Sequence, residues 1–162
     1  MHKNESLKLA NAGMIAALYV VLTYIANMLG LASGAIQVRL SEALTILPVF
    51  TAAAVPGLTV GCVLANLLTG CAAWDVVFGS LATLIGAIGT RLLKDRPLLA
   101  WIPPVLSNAA IVPVILIRVY GVPDAWWYLV LTVGAGEIIA CGVLGLLLWR
   151  SMKNVPQIKN MK

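Results

Sequence analysis

Apolar runs close to membrane-span length, each broken by a short cluster of glycine, proline or charge, make up nearly the whole chain. They cover about 7–29, 38–55, 58–71, 75–93, 98–120 and 125–149. A helix needs about 20 apolar residues to cross the hydrocarbon core. The runs therefore predict an all-α integral membrane protein, a six-transmembrane-helix bundle filling one membrane domain over 1–162. The breaks are punctuators: a small-residue loop at 30–36, Pro56-Gly57, the charged turn Lys94-Asp95-Arg96-Pro97, and a turn at 121–124. Pro103, Pro104 and Pro113 interrupt the fifth run and free backbone groups that neighbours or a wet cavity must satisfy.

The composition fits this pattern. Of 162 residues, 61% are hydrophobic and only 10% charged, against about 25% charged in a soluble domain. The first run is too long for a signal-peptide core, and Tyr24 and Asn27 near its end make a poor cleavage site. The net charge of +5 lies mainly at the two ends and in the 94–97 turn. With six spans those sites share one side, which the positive-inside rule makes cytoplasmic, along with both termini. Arg39 and Arg118 fall near the other side. Trp126, Trp127 and Tyr128 then sit at the outer interface and Trp149 at the inner one. No basic patch for nucleic acid is present.

Charge inside such a chain needs a reason, because each buried ion costs about 2.5–3.5 kcal/mol on insertion scales. Gln37, Arg39, Ser41 and Glu42 open the second run, with Arg39 and Glu42 three apart on one helical face. Asn66 ends the third run and Asp75 opens the fourth. Asn108 and Glu137 lie near the midplane, Glu137 in the glycine-lined stretch Gly134-Ala-Gly-Glu137. Their depths place them in the outer-to-middle part of the bundle, where several spans can share one outward-facing pocket for a small polar solute. Plainer readings stand beside this one. Arg39 and Glu42 also fit a structural clasp, Asp75 a helix cap, and Asn66 and Asn108 bridges between helices. Ala12-x-x-x-Ala16 and Gly13-x-x-x-Ala17 put small residues on one face of the first helix, for close packing inside the bundle or against another protein.

Enzymatic motifs are missing. The sequence has no phosphate-binding Gly-x-x-x-x-Gly-Lys-[Ser/Thr] loop, no His-Glu-x-x-His and no Gly-x-Ser-x-Gly. His2 is the only histidine, and Cys62, Cys71 and Cys141 show no metal-binding spacing and read as core thiols. Neither catalysis, a cofactor nor a metal is expected. Uphill transport would draw its energy from a coupled ion or another subunit.

Ile36-Gln-Val-Arg-Leu-Ser-Glu-Ala-Leu, then Leu47-Pro-Val-Phe, Pro56-Gly-Leu-Thr-Val-Gly-Cys, Asp75-Val-Val-Phe-Gly-Ser-Leu-Ala-Thr-Leu and Gly136-Glu137 resemble the QueT family over nearly the whole chain. Ala52 stands where that pattern leads one to expect proline. The resemblance implies a substrate-binding (S) component of an energy-coupling factor (ECF) transporter in a prokaryotic plasma membrane. Such a subunit binds a vitamin-like solute from outside and docks on a transmembrane T component with two cytosolic ATPases. Docking uses small residues of the first helix, here Ala12 and Ala16, with Gly13 and Ala17 alongside. The subunit is thought to topple and carry its site to the cytoplasm, and the 30–36 loop matches a lid. The implied solute is a queuosine precursor, a 7-deazaguanine such as preQ1, preQ0 or queuine. Its adjacent N1–H and 2-amino groups suit a carboxylate, with Glu137 the first choice and Glu42 the second. Asn108, Arg39 or Gln37 would donate to the O6 carbonyl, and Trp126, Trp127 or Phe78 would stack on the ring. Asp75 would meet an aminomethyl cation, and Asn66 completes the polar set. Alternatives are an S component for another heterocyclic vitamin, a self-sufficient ion-coupled carrier, and a membrane scaffold or intramembrane enzyme.

Overall fold

A computed structural model describes residues 2–31 and 36–155. Most of the expected 30–36 lid and the end of the basic tail lie outside these residues. The described chain is all helical: α1 (His2–Met28), a 3₁₀ segment (Leu40–Val49), α2 (Ala54–Leu68), α3 (Ala73–Leu92), α4 (Ile102–Arg118), α5 (Trp126–Glu137), a π-helical segment (Ile138–Leu144) and α6 (Gly145–Met152). No strand occurs among the described residues.

Three stretches are long and apolar enough to cross a membrane: Glu5–Met28, Ala73–Leu92, and Trp126–Met152, the continuous rod of α5, the π-helical segment and α6. The other apolar helices are shorter. The expected span at 38–55 departs most from the sequence reading. Arg39 is extended (φ −89°, ψ 104°), and the ten residues after it wind as a 3₁₀ helix. At about 2 Å per residue this helix reaches about 20 Å, short of the roughly 30 Å hydrocarbon core. Thr45 Oγ1 donates to the Glu42 carbonyl at 2.6 Å, and Pro48 brings no N–H. The segment is buried at eight of its ten positions. It is the central strut of the bundle rather than a wall of it. The next helix is correspondingly shifted and starts at Ala54 rather than 58.

Close packing around the strut relies on missing side chains. A Cβ on Gly57 would lie 2.7 Å from the Ala12 carbonyl oxygen, and one on Gly61 would lie 2.8 Å from Tyr19 Cβ and 3.0 Å from Ala16 Cα. The Ala12 and Ala16 face of α1 is thus seated on α2, with Ala16 buried, while Gly13 and Ala17 face outward. On the other flank Gly86 and Gly89 of α3 receive Pro104 and Pro103 of α4. Thr90 Oγ1 donates to the Ala100 carbonyl at 2.7 Å, and Arg91 Nη1 donates to the Pro48 carbonyl at 2.9 Å. These bonds satisfy backbone oxygens that the prolines and the 3₁₀ strut leave open.

Gly61→Ala should lower stability by about 1–3 kcal/mol, because the α1–α2 contact cannot absorb a methyl. Gly13→Ala, with nothing within 4 Å of the new Cβ, should leave it unchanged or slightly raised. Thermal unfolding in detergent separates the two; equal effects would contradict this packing.

Candidate solute-binding site

The ends of α1, α2 and α4 meet the start of α3 around a cavity of about 360 Å³. Its construction starts at Gly70. Here φ is +74°, and the Cys71 N–H bonds to the Asn66 carbonyl at 3.0 Å, a glycine stop that turns the chain directly into α3. Asp75 falls in the first turn of α3, where the helix dipole favours a carboxylate. Asn66 Nδ2 donates to the Asp75 carbonyl at 3.4 Å, and Tyr120 Oη donates to Asp75 Oδ2 at 3.0 Å. The Ala72 N–H in turn donates to Tyr120 Oη at 3.1 Å. Gly79 leaves room for this cluster: a Cβ there would sit 3.1 Å from Asp75 Oδ1. Opposite, Gln37 and Arg39 line the cavity from extended backbone, with Thr23 and Asn27 of α1 beside them. Arg39 lies within electrostatic reach of Asp75 and Glu42.

A second cavity of about 210 Å³ adjoins the first and shares Gln37, Leu116 and Val122 with it. Asp124, Tyr128 and Thr132 add its polar wall. Together they form a two-lobed cleft with Gln37, Leu116 and Val122 as its common wall. The Gln37 carbonyl rests on Gly136, so closely that any Cβ there would collide with it.

One layer deeper lies a buried polar cluster. Glu42 Oε1 accepts a hydrogen bond from Tyr19 Oη. Cys141 Sγ donates towards Glu137 Oε2 at 3.2 Å and contacts the Glu42 carbonyl at 3.5 Å. Ligand atoms of Glu42, Glu137 and Cys141 lie within 4.8 Å of one another. Thr45 Oγ1 reaches Cys141 at 3.4 Å, and Thr23 Oγ1 donates to Ser41 Oγ at 3.0 Å. Asn108 sits beside Glu137. Among the described residues Glu42 Oε2 and Asn108 Nδ2 are buried without a partner at hydrogen-bond geometry, although Asn108 faces Glu137 closely enough to act on it. Such atoms cost about 1–3 kcal/mol each and leave donor and acceptor capacity for an incoming group.

The structure sorts the sequence-derived residues into three groups. Gln37, Arg39, Asn66 and Asp75 line the cleft. Glu42, Asn108 and Glu137 form the layer beneath it and do not line it. Phe78, Trp126 and Trp127 lie elsewhere: Phe78 stacks on Trp74 at 5.5 Å on the outer flank of α3, and the two tryptophans are more than half exposed. The aromatic walls of the cleft are Tyr120 and Tyr128 instead. The reason is helical phase. Asp75, Gly79, Ala82, Thr83 and Gly86 hold the buried face of α3, which turns Phe78 outward. Among the described residues no ion pair joins Arg39 to Glu42 in the expected clasp; Glu42 Oε1 is taken by Tyr19 instead. Sequence reasoning missed Tyr19, Tyr120 and Cys141. Tyr19 carried a signal, a phenol in the middle of an apolar helix, where a buried hydroxyl needs a partner.

An all-helical apolar bundle with a polar cleft at one end, above buried carboxylates, defines a membrane protein suited to taking up a small polar solute. The QueT transporter family model matches residues 9–154, and the chain belongs to this family. It is 34% identical over 97 residues to the queuosine precursor transporter QueT of Lactococcus lactis subsp. cremoris (strain MG1363). That match covers 59% of this chain and 56% of the relative, so the chain aligns with little more than half the relative's length. No solved structure matches.

Tyr19→Phe should destabilise the protein by about 1–3 kcal/mol by leaving the Glu42 carboxyl unpaired, read as a lower unfolding temperature; an unchanged temperature would remove Tyr19 from the network. Gly136→Ala should displace the Gln37 backbone and weaken solute binding about tenfold or more. Calorimetric titration checks this, and wild-type affinity would show that Gln37 does not shape the site.

Proposed function

We propose that this chain is the solute-capturing S component of an ECF-type uptake transporter and that its solute is a queuosine precursor of the 7-deazaguanine class. The observation carrying this reading is the pair of adjoining cavities walled by Gln37, Arg39, Asn66, Asp75 and Tyr120, with the buried Glu42–Glu137 cluster nearby but not lining them. The name of the Lactococcus relative supports the choice of solute. Asp75 suits an aminomethyl cation, and Arg39 and Gln37 suit the O6 carbonyl. Tyr120 and Tyr128 offer rings to the purine-like plane. Glu137, with Glu42, accepts N1–H and the 2-amino group from a solute that seats past Gln37, and Asn108 supplies the donor beside them.

Energy comes in this reading from two cytosolic ATPases acting through a T component, and the subunit itself is not an enzyme. Both termini are cytoplasmic in a prokaryotic plasma membrane. Because Ala12 and Ala16 are committed to α2, the outward Gly13 and Ala17 are the first-helix positions open to a docking partner.

Binding of preQ1, preQ0 and queuine to the purified chain tests the solute. Failure of all three, with binding of another heterocyclic vitamin, would overturn it. Vesicles holding this chain alone should show no uptake under an ion gradient; uptake there would favour a self-sufficient carrier. Glu137→Gln should weaken binding about tenfold or more, the scale of a lost charge-assisted hydrogen bond, and unchanged affinity would take Glu137 out of recognition. Ala17→Trp should abolish uptake in the reconstituted transporter while sparing binding.

A further inference from the structure

A groove of about 740 Å³ runs between Leu98 and Trp101, ahead of α4, and the final helical rod. It is separate from the cleft and shares no lining residue with it. Its floor is aromatic and dry. The Trp101 ring lies over Gly142, where an added Cβ would approach it at 3.5 Å. The Trp101 Nε1–H is already spent on the Leu98 carbonyl at 2.9 Å. The rod is π-helical at this level, a geometry that occurs mostly as short bulges, often at functional sites. Along the groove Leu98, Val143 and Leu147 are more than half exposed on the bundle surface. At one end stand Arg150 and Lys153, one turn apart in and just beyond the last turn of α6, with Lys153 Nζ 5.0 Å from the Trp149 ring centroid. Among the described residues no acidic side chain lines the groove.

We propose that this groove holds one anionic glycerophospholipid, with an acyl chain against Trp101, Val143 and Leu147 and the headgroup phosphate between Arg150 and Lys153. Charge complementarity and shape select this occupant together. A soluble anion leaves the exposed hydrocarbon wall uncovered, and a zwitterionic lipid brings no net negative charge to the paired cations. The comparable groove beside Trp74 and Phe78 has only Arg118 at its rim. The proposal does not depend on the solute or on the energising partner.

The test uses the full chain, stripped of lipid and reconstituted in nanodiscs of phosphatidylcholine with or without phosphatidylglycerol. Phosphatidylglycerol should raise the unfolding temperature, and native mass spectrometry should show one retained molecule. Arg150→Gln with Lys153→Gln should cut retention about fivefold for each cation removed, and Arg150→Lys should restore most of it. Lys94→Gln with Arg96→Gln, exposed cations that do not line the groove, should change nothing. Equal stabilisation by the two lipids would overturn the proposal. So would equal loss in the Lys94/Arg96 control, or full stabilisation by inorganic phosphate or glycerol phosphate in detergent.

Discussion

The Glu42 carboxyl is the constraint on which the bundle turns. It is almost fully buried in an apolar protein, where an unpaired charge or an unsatisfied oxygen is expensive. Its neighbours come from separate parts of the chain: Tyr19 from α1, Thr45 from the same 3₁₀ strut, and Cys141 with Glu137 from the final rod. Through its carboxyl, which takes Tyr19, and its backbone carbonyl, which takes Thr45 and Cys141, this one residue ties α1, the strut and the final rod together. The 3₁₀ geometry serves the contacts at the Glu42 carbonyl. Three residues per turn place Thr45 directly above Glu42, so the hydroxyl can take the Glu42 carbonyl and still reach Cys141.

What the sequence disclosed and what it hid differ in kind. Apolar runs at 7–29, 75–93 and 125–149 coincide with the three long spans, because run length alone decides them. The polar positions Gln37, Arg39, Asn66 and Asp75 were legible because charge and amide groups stand out against hydrocarbon. The run at 38–55 misled because hydrophobicity does not distinguish a spanning helix from a short buried strut. Its extended entry at Arg39 and its 3₁₀ winding depend on tertiary partners. The stacking aromatics were misassigned for a related reason. Trp126, Trp127 and Phe78 are conspicuous in sequence, but rotation about the helix axis decides which way they point, and in short helices that phase is set by packing. Cys141 was invisible as a site residue, since a buried thiol most often is only a small apolar group.

The small residues of α1 show how one pattern carries two meanings. Alanine and glycine at i and i+4 state that a backbone comes close but not whose backbone it is. Gly57 and Gly61 answer for Ala12 and Ala16, because their missing side chains are filled by α1. Gly13 and Ala17, one residue further round, have no such partner within the bundle and remain on the surface. A stripe two residues wide is thus divided between internal cohesion and an open face.

The separation into an upper cleft and a lower carboxylate layer has its own physical logic. Arg39 and Asp75 line the cleft, and Asp75, although buried, is paired there with the Tyr120 hydroxyl. Glu42 and Glu137 do not line it and are buried, so a polar atom left unpaired on either is costly. Gln37 lies between the layers with its carbonyl on Gly136. Gly136 and Glu137 are adjacent in the chain, so any shift of the Gln37 backbone is felt where α5 presents its carboxylate. Gln37 therefore joins the wall of the cleft to the stretch that carries Glu137.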